Sequence, residues 1–190
     1  MISIRKAALV GAFVASFAPL SQASVLSGIN AWASSVTNHL GTIYDQGGTE
    51  LLVPGYTWHD PGTYTAAKRA TLNSHAWGIG LSRNLTDAQG DQELVFAMMF
   101  SDSHYNAEPM VGYAEQWNWR PFSGDFRLGA GYTVAVTSRA DIMRNVPFPL
   151  ALPLASVGYG KFTLYGTFLP RFNGSPNNGN VAFFFAGYNF

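Results

Sequence analysis

Residues Asn180–Phe190 have the sequence NVAFFFAGYNF, in which apolar side chains follow a regular alternation. The residues that recur at every second position are Ala182, Phe184, Ala186, Tyr188 and Phe190. Successive side chains of a β-strand point to opposite faces, so these five would lie together on one face. A period of two therefore predicts a strand in this segment rather than a helix.

Seven more segments after residue 50 have the same strand-like character, and no helical period persists among them. They are Leu51–His59, Ala76–Asn84, Glu93–Asp102, Met110–Trp119, Phe126–Ser138, Ala151–Tyr159 and Lys161–Leu169. Eight is the smallest usual number of strands in a membrane barrel. The aromatic residue that closes Asn180–Phe190 resembles the C-terminal signature of bacterial outer-membrane barrels. A sheet in lipid must close on itself, because no water is present to hydrogen-bond a free edge. The sequence therefore predicts an all-β fold, an eight-stranded antiparallel transmembrane β-barrel over residues 49–190.

An export signal is predicted before the barrel. Arg5 and Lys6 precede an apolar run over residues 7–18, and Ser21 and Ala23 are small residues where a signal peptidase requires them. The apolar run is too short for a membrane-spanning helix, which needs about 20 residues. We expect residues 1–23 to be a signal peptide that is cleaved after Ala23.

Residues 24–48 show the period of an amphipathic α-helix. The apolar residues that recur three or four positions apart are Val25, Ile29, Trp32, Val36, Leu40 and Ile43. Gly47 and Gly48 end this pattern. The helix either packs on the body of the protein or lies in the membrane interface.

The composition excludes several classes of function. Only 12 % of the residues are charged, and 11 basic residues balance 11 acidic ones, which argues against nucleic-acid binding. The absence of cysteine excludes disulfides, thiol nucleophiles and cysteine metal sites. The spacing of the histidines also lacks a metal-ligand pattern. We expect a monomer embedded in the membrane that uses no metal and no cofactor.

Small side chains alternate with large ones along the predicted strands. Trp77, Ile79 and Leu81 share one face of the second strand, whereas Gly78 and Gly80 lie on the other. Because lipid-facing positions should be large and apolar, the small side chains are expected to point inward. A barrel lined by them leaves space for one slender apolar ligand. Alternatively, the small residues only relieve crowding in a narrow barrel.

Polar residues end three of the predicted strands. His59, the pair Asp102-Ser103 and Arg139 follow strands that run in the same direction, so they should meet at one rim of the barrel. Histidine and serine are the residue types needed for acyl transfer, in which the imidazole accepts the proton of the hydroxyl. An Asp-Ser pair at a strand end is also a common turn cap. Arg139 would bind phosphate or form a salt bridge that holds a loop.

Five motifs together resemble the outer-membrane lipid A palmitoyltransferase (PagP) family, in register from about Leu51 to Phe190. The motifs are Thr57-Trp58-His59, Phe100–Ser103, Gly112-Tyr113, Leu152–Gly160 and Asn177–Val181. The resemblance implies an enzyme that moves a palmitoyl chain from the sn-1 position of a glycerophospholipid donor to lipid A, the acceptor, in the outer membrane. The essential His, Asp and Ser of that family fall on His59, Asp102 and Ser103.

The inward positions and the resemblance together predict an acyl-chain pocket and a lateral gate. The predicted pocket residues are Gly78, Gly80, Met110, Gly112, Ala114, Gly129 and Gly131. Proline cannot donate to a strand ladder, so prolines in barrel strands indicate gaps between neighbours. The resemblance implies that Pro153 and Pro170 flank a lateral lipid gate, and Pro54 belongs to a second one.

The chain departs from the family pattern at two positions. Ala76 stands where the family tends to have a proline, which leaves only Pro54 for the second gate. Ala114 stands where the family has a glycine that sets the cavity floor, and the added methyl group should shorten the acyl-chain slot slightly. A structural barrel, a lipid-binding barrel and a phospholipase remain alternatives to an acyltransferase.

Overall fold

The computed structural model describes residues 22–122, 124–172 and 179–190. The chain forms two units, residues 1–42 and residues 43–190. The long helix α1, Gln22–Gln46, belongs to the first unit except for its last turn. Almost all of the predicted signal peptide lies outside the described residues, and a cut after Ala23 would fall in the first turn of α1. The cleavage site therefore stays a prediction.

The second unit is an eight-stranded closed barrel, in which every strand is antiparallel to both neighbours and the order around the barrel follows the chain. Its strands are β1 Gly48–His59, β2 Gly78–Thr86, β3 Gln92–Ser101, β4 Ala107–Trp119, β5 Phe126–Thr137, β6 Phe148–Tyr159, β7 Phe162–Leu169 and β8 Val181–Asn189. The predicted fold class is confirmed, and each predicted strand matches one of these within about three residues at either end.

The alternation along the strands separates an outer from an inner face as predicted. Ile79 and Leu81 of β2 are exposed on the outside, as are Leu128 and Val134 of β5. The inner face carries a core of apolar side chains, which are Leu52, Leu94, Met98, Phe100, Ala114, Leu154, Tyr165 and Phe183. An apolar outer face is what a hydrocarbon environment requires of a barrel.

Two of the eight strand ladders stop well before the strands end. Between β6 and β7 the last pair is Leu154 with Thr167, so residues 148–153 of β6 have no partner on β7. Between β1 and β2 the last pair is Leu52 with Gly80, and β1 continues for seven more residues. Both ladders are incomplete at the end of the barrel where β1, β3, β5 and β7 finish, which we call the rim.

The rim is built from the long connections. The segment between β1 and β2 contains the short helix α2, Ala66–Arg69, and Thr65 caps that helix by accepting a hydrogen bond from the Lys68 backbone N–H. The segment between β5 and β6 contains a 3₁₀ turn at Met143–Asn145. These connections cover the barrel end that carries His59 and Ser103.

The apolar stripe of α1 is largely exposed. Ile29 and Trp32 each expose more than half of their surface, whereas Ile43, in the second unit, is fully buried. Among the described residues, no helix is both long enough and apolar enough to span a membrane. Whether α1 packs on protein or lies in the membrane interface stays a prediction.

A polar layer fills the half of the barrel away from the rim. The buried Glu50 carboxylate accepts hydrogen bonds from Ser82 Oγ at 2.9 Å and from the Tyr165 hydroxyl at 3.0 Å. Buried polar groups need such partners, since an unpaired one would weaken the barrel. This layer was not expected from the sequence, which suggested small or apolar side chains throughout the interior.

Candidate active site

His59 and Ser103 meet at the rim. His59 is the final residue of β1 and is 5 % exposed, and Ser103 lies in the turn that follows β3. The imidazole Nε2 of His59 lies 2.9 Å from Ser103 Oγ, which is hydrogen-bond distance. The two residues are 44 positions apart in the chain, and β2 separates their strands in the barrel order. A base in contact with a hydroxyl is the arrangement that acyl transfer requires.

Asp102 precedes Ser103 and holds the turn that carries it. Its Oδ1 accepts the backbone N–H groups of His104 and Asn106, each at 2.8 Å. Asp102 therefore caps the turn and also holds the backbone of Ser103. Within the described ranges, no hydrogen bond joins Asp102 to His59, so the geometry does not support Asp102 as the residue that orients the imidazole.

The second carboxylate oxygen of Asp102 faces Arg139. Asp102 is 3 % exposed, and its Oδ2 has no hydrogen-bond partner among the described residues. The nearest cation is Arg139 Nη2 at 3.9 Å. An oxygen that is buried and lacks a donor has a high desolvation cost. The positive charge of Arg139 is the interaction that offsets this cost.

Arg139 is the centre of a cluster of carboxylates. Its guanidinium makes two hydrogen bonds of 3.0 Å to Asp141, and Glu108 lies at 3.7 Å. Burial disfavours the charged form of Arg139, but these carboxylates outweigh burial and raise its pKa. The salt-bridge interpretation of Arg139 agrees with this geometry, because its donors already face protein carboxylates.

The charge of Arg139 also acts on Asp141. Partial burial tends to raise the pKa of Asp141, but the hydrogen bonds and the positive charge of Arg139 outweigh burial and hold the pKa below its usual range. The His104 Nδ1 atom lies 3.2 Å from the same carboxylate. Asp102, His104 and Asp141 present ligand atoms within 4.8 Å of one another, but the guanidinium of Arg139 lies 3.0 Å from Asp141 and 3.9 Å from Asp102 and supplies a positive charge there, so we assign no metal to the cluster.

An apolar cavity inside the barrel reaches Ser103, the serine of the His59–Ser103 pair. Its lining includes both Asp102 and Ser103 at one end and Tyr165 of the polar layer at the other. The apolar lining comes from Leu52, Leu94, Phe96, Met98, Phe100, Met110, Ala114, Leu150, Leu152, Leu154, Leu169, Val181, Phe183 and Phe185. A narrow slot of this composition fits a hydrocarbon chain.

The predicted pocket residues divide into two groups. Met110 and Ala114 line the cavity, but Gly78, Gly80, Gly112, Gly129 and Gly131 are not among its lining residues. A Cβ atom on Gly112 would lie 2.7 Å from Ala135 Cβ and 2.8 Å from Phe96 Cζ. Atoms of the neighbouring strands fill the space next to all five glycines, mainly side-chain atoms at Gly112 and Gly129 and backbone atoms at Gly131. For the five glycines, the geometry therefore favours the alternative that small residues relieve crowding in a narrow barrel. The cavity wall itself is formed mostly by large apolar side chains.

The three prolines that were predicted to flank lateral gates lie near the two incomplete strand ladders. Pro153 is exposed on β6, one residue beyond the last pair with β7, and Pro170 directly follows β7. Pro54 is buried on β1, beside an irregularity in the pairing of β1 with β8. The ladder between β1 and β2 stops near Pro54 even though the chain has Ala76 on the other side.

Two residues of the first connection contact the site and were not identified from the sequence. The Tyr64 ring meets the His59 imidazole edge-on, with 5.6 Å between the ring centres. Asn73 is buried against the turn that carries Ser103. Both residues lie between predicted strands, where no period or motif distinguishes them, so the sequence contained no signal for either.

Comparison with known proteins finds similarity to one family along most of the chain, and it is the family that the sequence motifs resemble. Residues 39–187 match the family model described as "Antimicrobial peptide resistance and lipid A acylation protein PagP". A protein of Bordetella pertussis named lipid A acyltransferase PagP is 43 % identical over 168 residues, covering 88 % of this chain and 90 % of the relative. Proteins of the same name from Cronobacter sakazakii and Methylobacillus flagellatus are 40 % and 35 % identical over 157 and 172 residues. The alignments cover 82 % and 90 % of this chain, and 80 % and 91 % of those relatives.

The match extends through the barrel and includes His59, Asp102 and Ser103 within its range. Together with the closed barrel and the cavity, it shows that this chain belongs to the PagP family.

Proposed function

We propose that the protein is an outer-membrane enzyme that transfers an acyl chain from the sn-1 position of a glycerophospholipid to a hydroxyl of lipid A. The observation that carries this proposal is the His59–Ser103 pair, whose serine lines an apolar cavity. Membership of a family whose relatives are named lipid A acyltransferases supports lipid A as the acceptor. The donor and the chain length are inferred from the cavity and from the family resemblance.

The cavity supports a long acyl chain as the transferred group. A palmitoyl chain contains about 14 methylenes, and each contributes about 0.8 kcal/mol when it leaves water, so the whole chain contributes on the order of 10 kcal/mol. The apolar lining keeps the chain out of water while its ester carbonyl stays at the rim. Ala114 lines the cavity, and its methyl group supports a preference for palmitate or a slightly shorter chain.

His59 is proposed as the general base. Its Nε2 takes the proton of the attacking hydroxyl, the new ester bond forms at the carbonyl carbon, and the bond to the glycerol oxygen breaks. The imidazolium then returns the proton to that oxygen, which leaves as the hydroxyl of the lysophospholipid. The attacking hydroxyl belongs either to lipid A, which then carries the chain directly, or to Ser103. In the second case a lipid A hydroxyl attacks the Ser103 ester in a second step, in which His59 takes the proton of that hydroxyl and returns it to Ser103 Oγ as the serine ester bond breaks. The mass of the intact protein after reaction with donor alone separates these cases, since only the second adds an acyl group to the chain.

Asp102 is proposed to act through the turn and through its free oxygen. Its Oδ1 holds the backbone that carries Ser103, as described above. Its Oδ2 lies at the cavity mouth beside Arg139 and can accept a hydrogen bond from a substrate hydroxyl. Replacement of Asp102 should therefore disturb both the serine and the bound lipid.

Lipids are proposed to enter from the side. The unpaired part of β6, residues 148–153, faces the end of β7 and leaves a break in the barrel wall next to Pro153 and Pro170. The unpaired part of β1 near Pro54 supports a second break. Lateral entry keeps the acyl chain in an apolar environment throughout. Every strand of the closed barrel is paired on both sides along part of its length, so no whole strand edge is left for a second copy to pair with, which supports a monomer.

The proposal is tested with refolded protein in detergent, lipid A and a phospholipid whose sn-1 and sn-2 chains differ in mass. We expect lipid A to gain the sn-1 chain, and the Ser103→Ala variant to give no product. Release of free fatty acid without acylated lipid A would identify a phospholipase instead. No reaction by a correctly folded barrel would favour a binding or structural role.

A further inference from the structure

Strand β1, which ends in His59, and strand β3, which ends two residues before Ser103, are not directly bonded to each other. β2 lies between β1 and β3 in the barrel order, but it begins only at Gly78, and its ladder with β1 stops at Leu52 and Gly80. Beyond that pair, the regular ladder does not fix the distance from β1 to the end of β3. Another element must hold the imidazole and the hydroxyl at 2.9 Å.

The segment Asn73–Ser74 is that element. The Ser74 carbonyl accepts the backbone N–H of Thr57 at 2.9 Å, two residues before His59. The Asn73 backbone N–H donates to the Ser103 carbonyl, also at 2.9 Å. Two consecutive residues therefore connect the strand that ends in the imidazole to the residue that carries the hydroxyl.

The side chain of Asn73 fixes the same turn a second time. Its Nδ2 donates to Ser101 Oγ at 2.9 Å and to the Asp102 carbonyl at 3.1 Å. Its Oδ1 accepts the His75 backbone N–H at 2.9 Å, and Nδ2 also contacts the His75 carbonyl at 3.1 Å. Asn73 is 4 % exposed, so these bonds form away from water, where the loss of one partner is costly.

We propose that Asn73 is a positioning residue for acyl transfer, which holds Ser101, Asp102 and Ser103 so that Ser103 Oγ stays against His59 Nε2. Asn73 touches no reacting atom, and its amide supplies both the donors and the acceptor that the turn needs. Only a side chain with both properties satisfies Ser101, Asp102 and His75 at once. The inference rests on the proposed function, in that His59 and Ser103 carry out the chemistry.

Asn73→Asp is the variant that tests it. The change keeps the shape and the acceptor of the side chain but removes the N–H donors to Ser101 and Asp102. We expect kcat for lipid A acylation to fall about 10- to 100-fold, with KM for the phospholipid within about twofold of the wild-type value, because small displacements of reacting groups have effects of that size. The ¹⁵N resonance of His59 Nε2 should move toward its position in Ser103→Ala.

Asn118→Asp is the matched control. Asn118 also donates its amide to a backbone carbonyl, that of Gly90 at 2.9 Å, but at the opposite end of the barrel from the rim. We expect this variant to keep the wild-type kcat and His59 resonance. An equal loss of kcat in both variants would overturn the proposal, because it would show a general effect on the barrel.

Ser101→Ala keeps the proposal falsifiable if Asn73→Asp does not fold. It removes one acceptor of the Asn73 amide and should lower kcat about fivefold, the effect of one hydrogen bond. If Asn73→Asp folds and keeps the wild-type kcat, the inference is overturned. If Asn73→Asp does not fold, a wild-type kcat in Ser101→Ala overturns it. If Ser103→Ala is inactive while the Asn73 variant keeps the wild-type kcat, only the role of Asn73 fails and the proposed function stands. If Ser103→Ala is active, the proposed function itself is contradicted.

Discussion

The His59 Nε2 atom and the Ser103 Oγ atom lie 2.9 Å apart, although β1, which ends in His59, is not paired with β3, which ends two residues before Ser103. The hydroxyl lies at the mouth of an apolar cavity. The pair therefore lies between the apolar cavity inside the barrel and the polar residues at the rim.

Replacement of the imidazole should remove most of the activity. We expect His59→Gln to lower kcat about 10²- to 10⁴-fold, the usual contribution of a general base. The measurement is the rate of lipid A acylation by mass spectrometry, with heat-modifiable migration as the check on folding. His39→Gln, a histidine of α1, is the matched control and should keep the wild-type rate. A folded His59→Gln barrel with more than a tenth of the activity would contradict the role of His59 as base.

Ala114 should influence which chain is transferred. Ala114→Gly removes a methyl group from the cavity lining, and we expect selectivity to move toward longer chains. Ala114→Leu should move it toward shorter chains. One methylene in an apolar pocket changes selectivity about 10- to 200-fold. Competition between phospholipids with different sn-1 chains gives the ratio directly, and unchanged ratios in both variants would place the end of the slot elsewhere.

A covalent link across the break between β6 and β7 should stop the reaction. Pro153 and Phe168 are the next facing positions after the last pair, and the chain has no cysteine of its own. We expect the double variant Pro153→Cys/Phe168→Cys to lose activity at least tenfold when oxidised and to regain it on reduction, because phospholipid can no longer enter from the side.

The control for that experiment lies within the intact part of the same ladder. Val157 and Leu164 face each other there, and both are exposed on the outside of the barrel. Val157→Cys/Leu164→Cys should be equally active in both redox states. Full activity of the oxidised Pro153/Phe168 pair, with the disulfide verified by gel migration, would contradict lateral entry at this break.

Gly129 should matter for stability and not for chain selectivity. A Cβ atom there would lie 2.7 Å from both Asn118 Oδ1 and Gln116 Oε1, so a larger side chain forces its neighbours apart. We expect Gly129→Ala to lower the free energy of unfolding by about 1 to 3 kcal/mol, as overpacking does. Urea denaturation measures this change. A shift in chain selectivity without loss of stability would restore Gly129 to the cavity wall.

The loop that holds Arg139 should weaken in acid. Because the pKa of Asp141 lies below 3.8 in the folded protein, the unfolded chain binds the proton more readily. The stabilisation by Asp141 is fully present above the pKa of the unfolded chain, about 3.8, and is lost as the pH falls through the lower pKa of the folded protein. Asp141→Asn should therefore show a smaller decrease in urea midpoint below about pH 4 than the wild type does. Equal decreases would mean that other carboxylates determine the acid sensitivity.

The strands were predictable because their signal is local. A period of two persists along each strand, and the large outward side chains of β2 and β5 reveal which face meets lipid. The position of His59, Asp102 and Ser103 at one rim was also predictable, since these residues end strands that run in the same direction. The glycines show the limit of this reasoning. Gly112 and Gly129 were correctly placed on the inner face, but whether a neighbour fills the adjacent space depends on the register between strands.

By itself, the sequence determined the barrel, the eight strands and the rim on which the polar residues lie, because alternation and chain direction depend only on neighbouring positions. The tertiary structure alone decided three further features. It placed His59 against Ser103 through Asn73 and Ser74, which lie in an irregular connection without a repeating pattern. It paired Asp102 with Arg139 rather than with His59. It also buried Glu50 with Tyr165, 115 positions away, to form the polar layer next to the cavity. Each of these contacts joins residues whose strands are not hydrogen-bonded neighbours, so only the folded barrel brings them within hydrogen-bond or ion-pair distance.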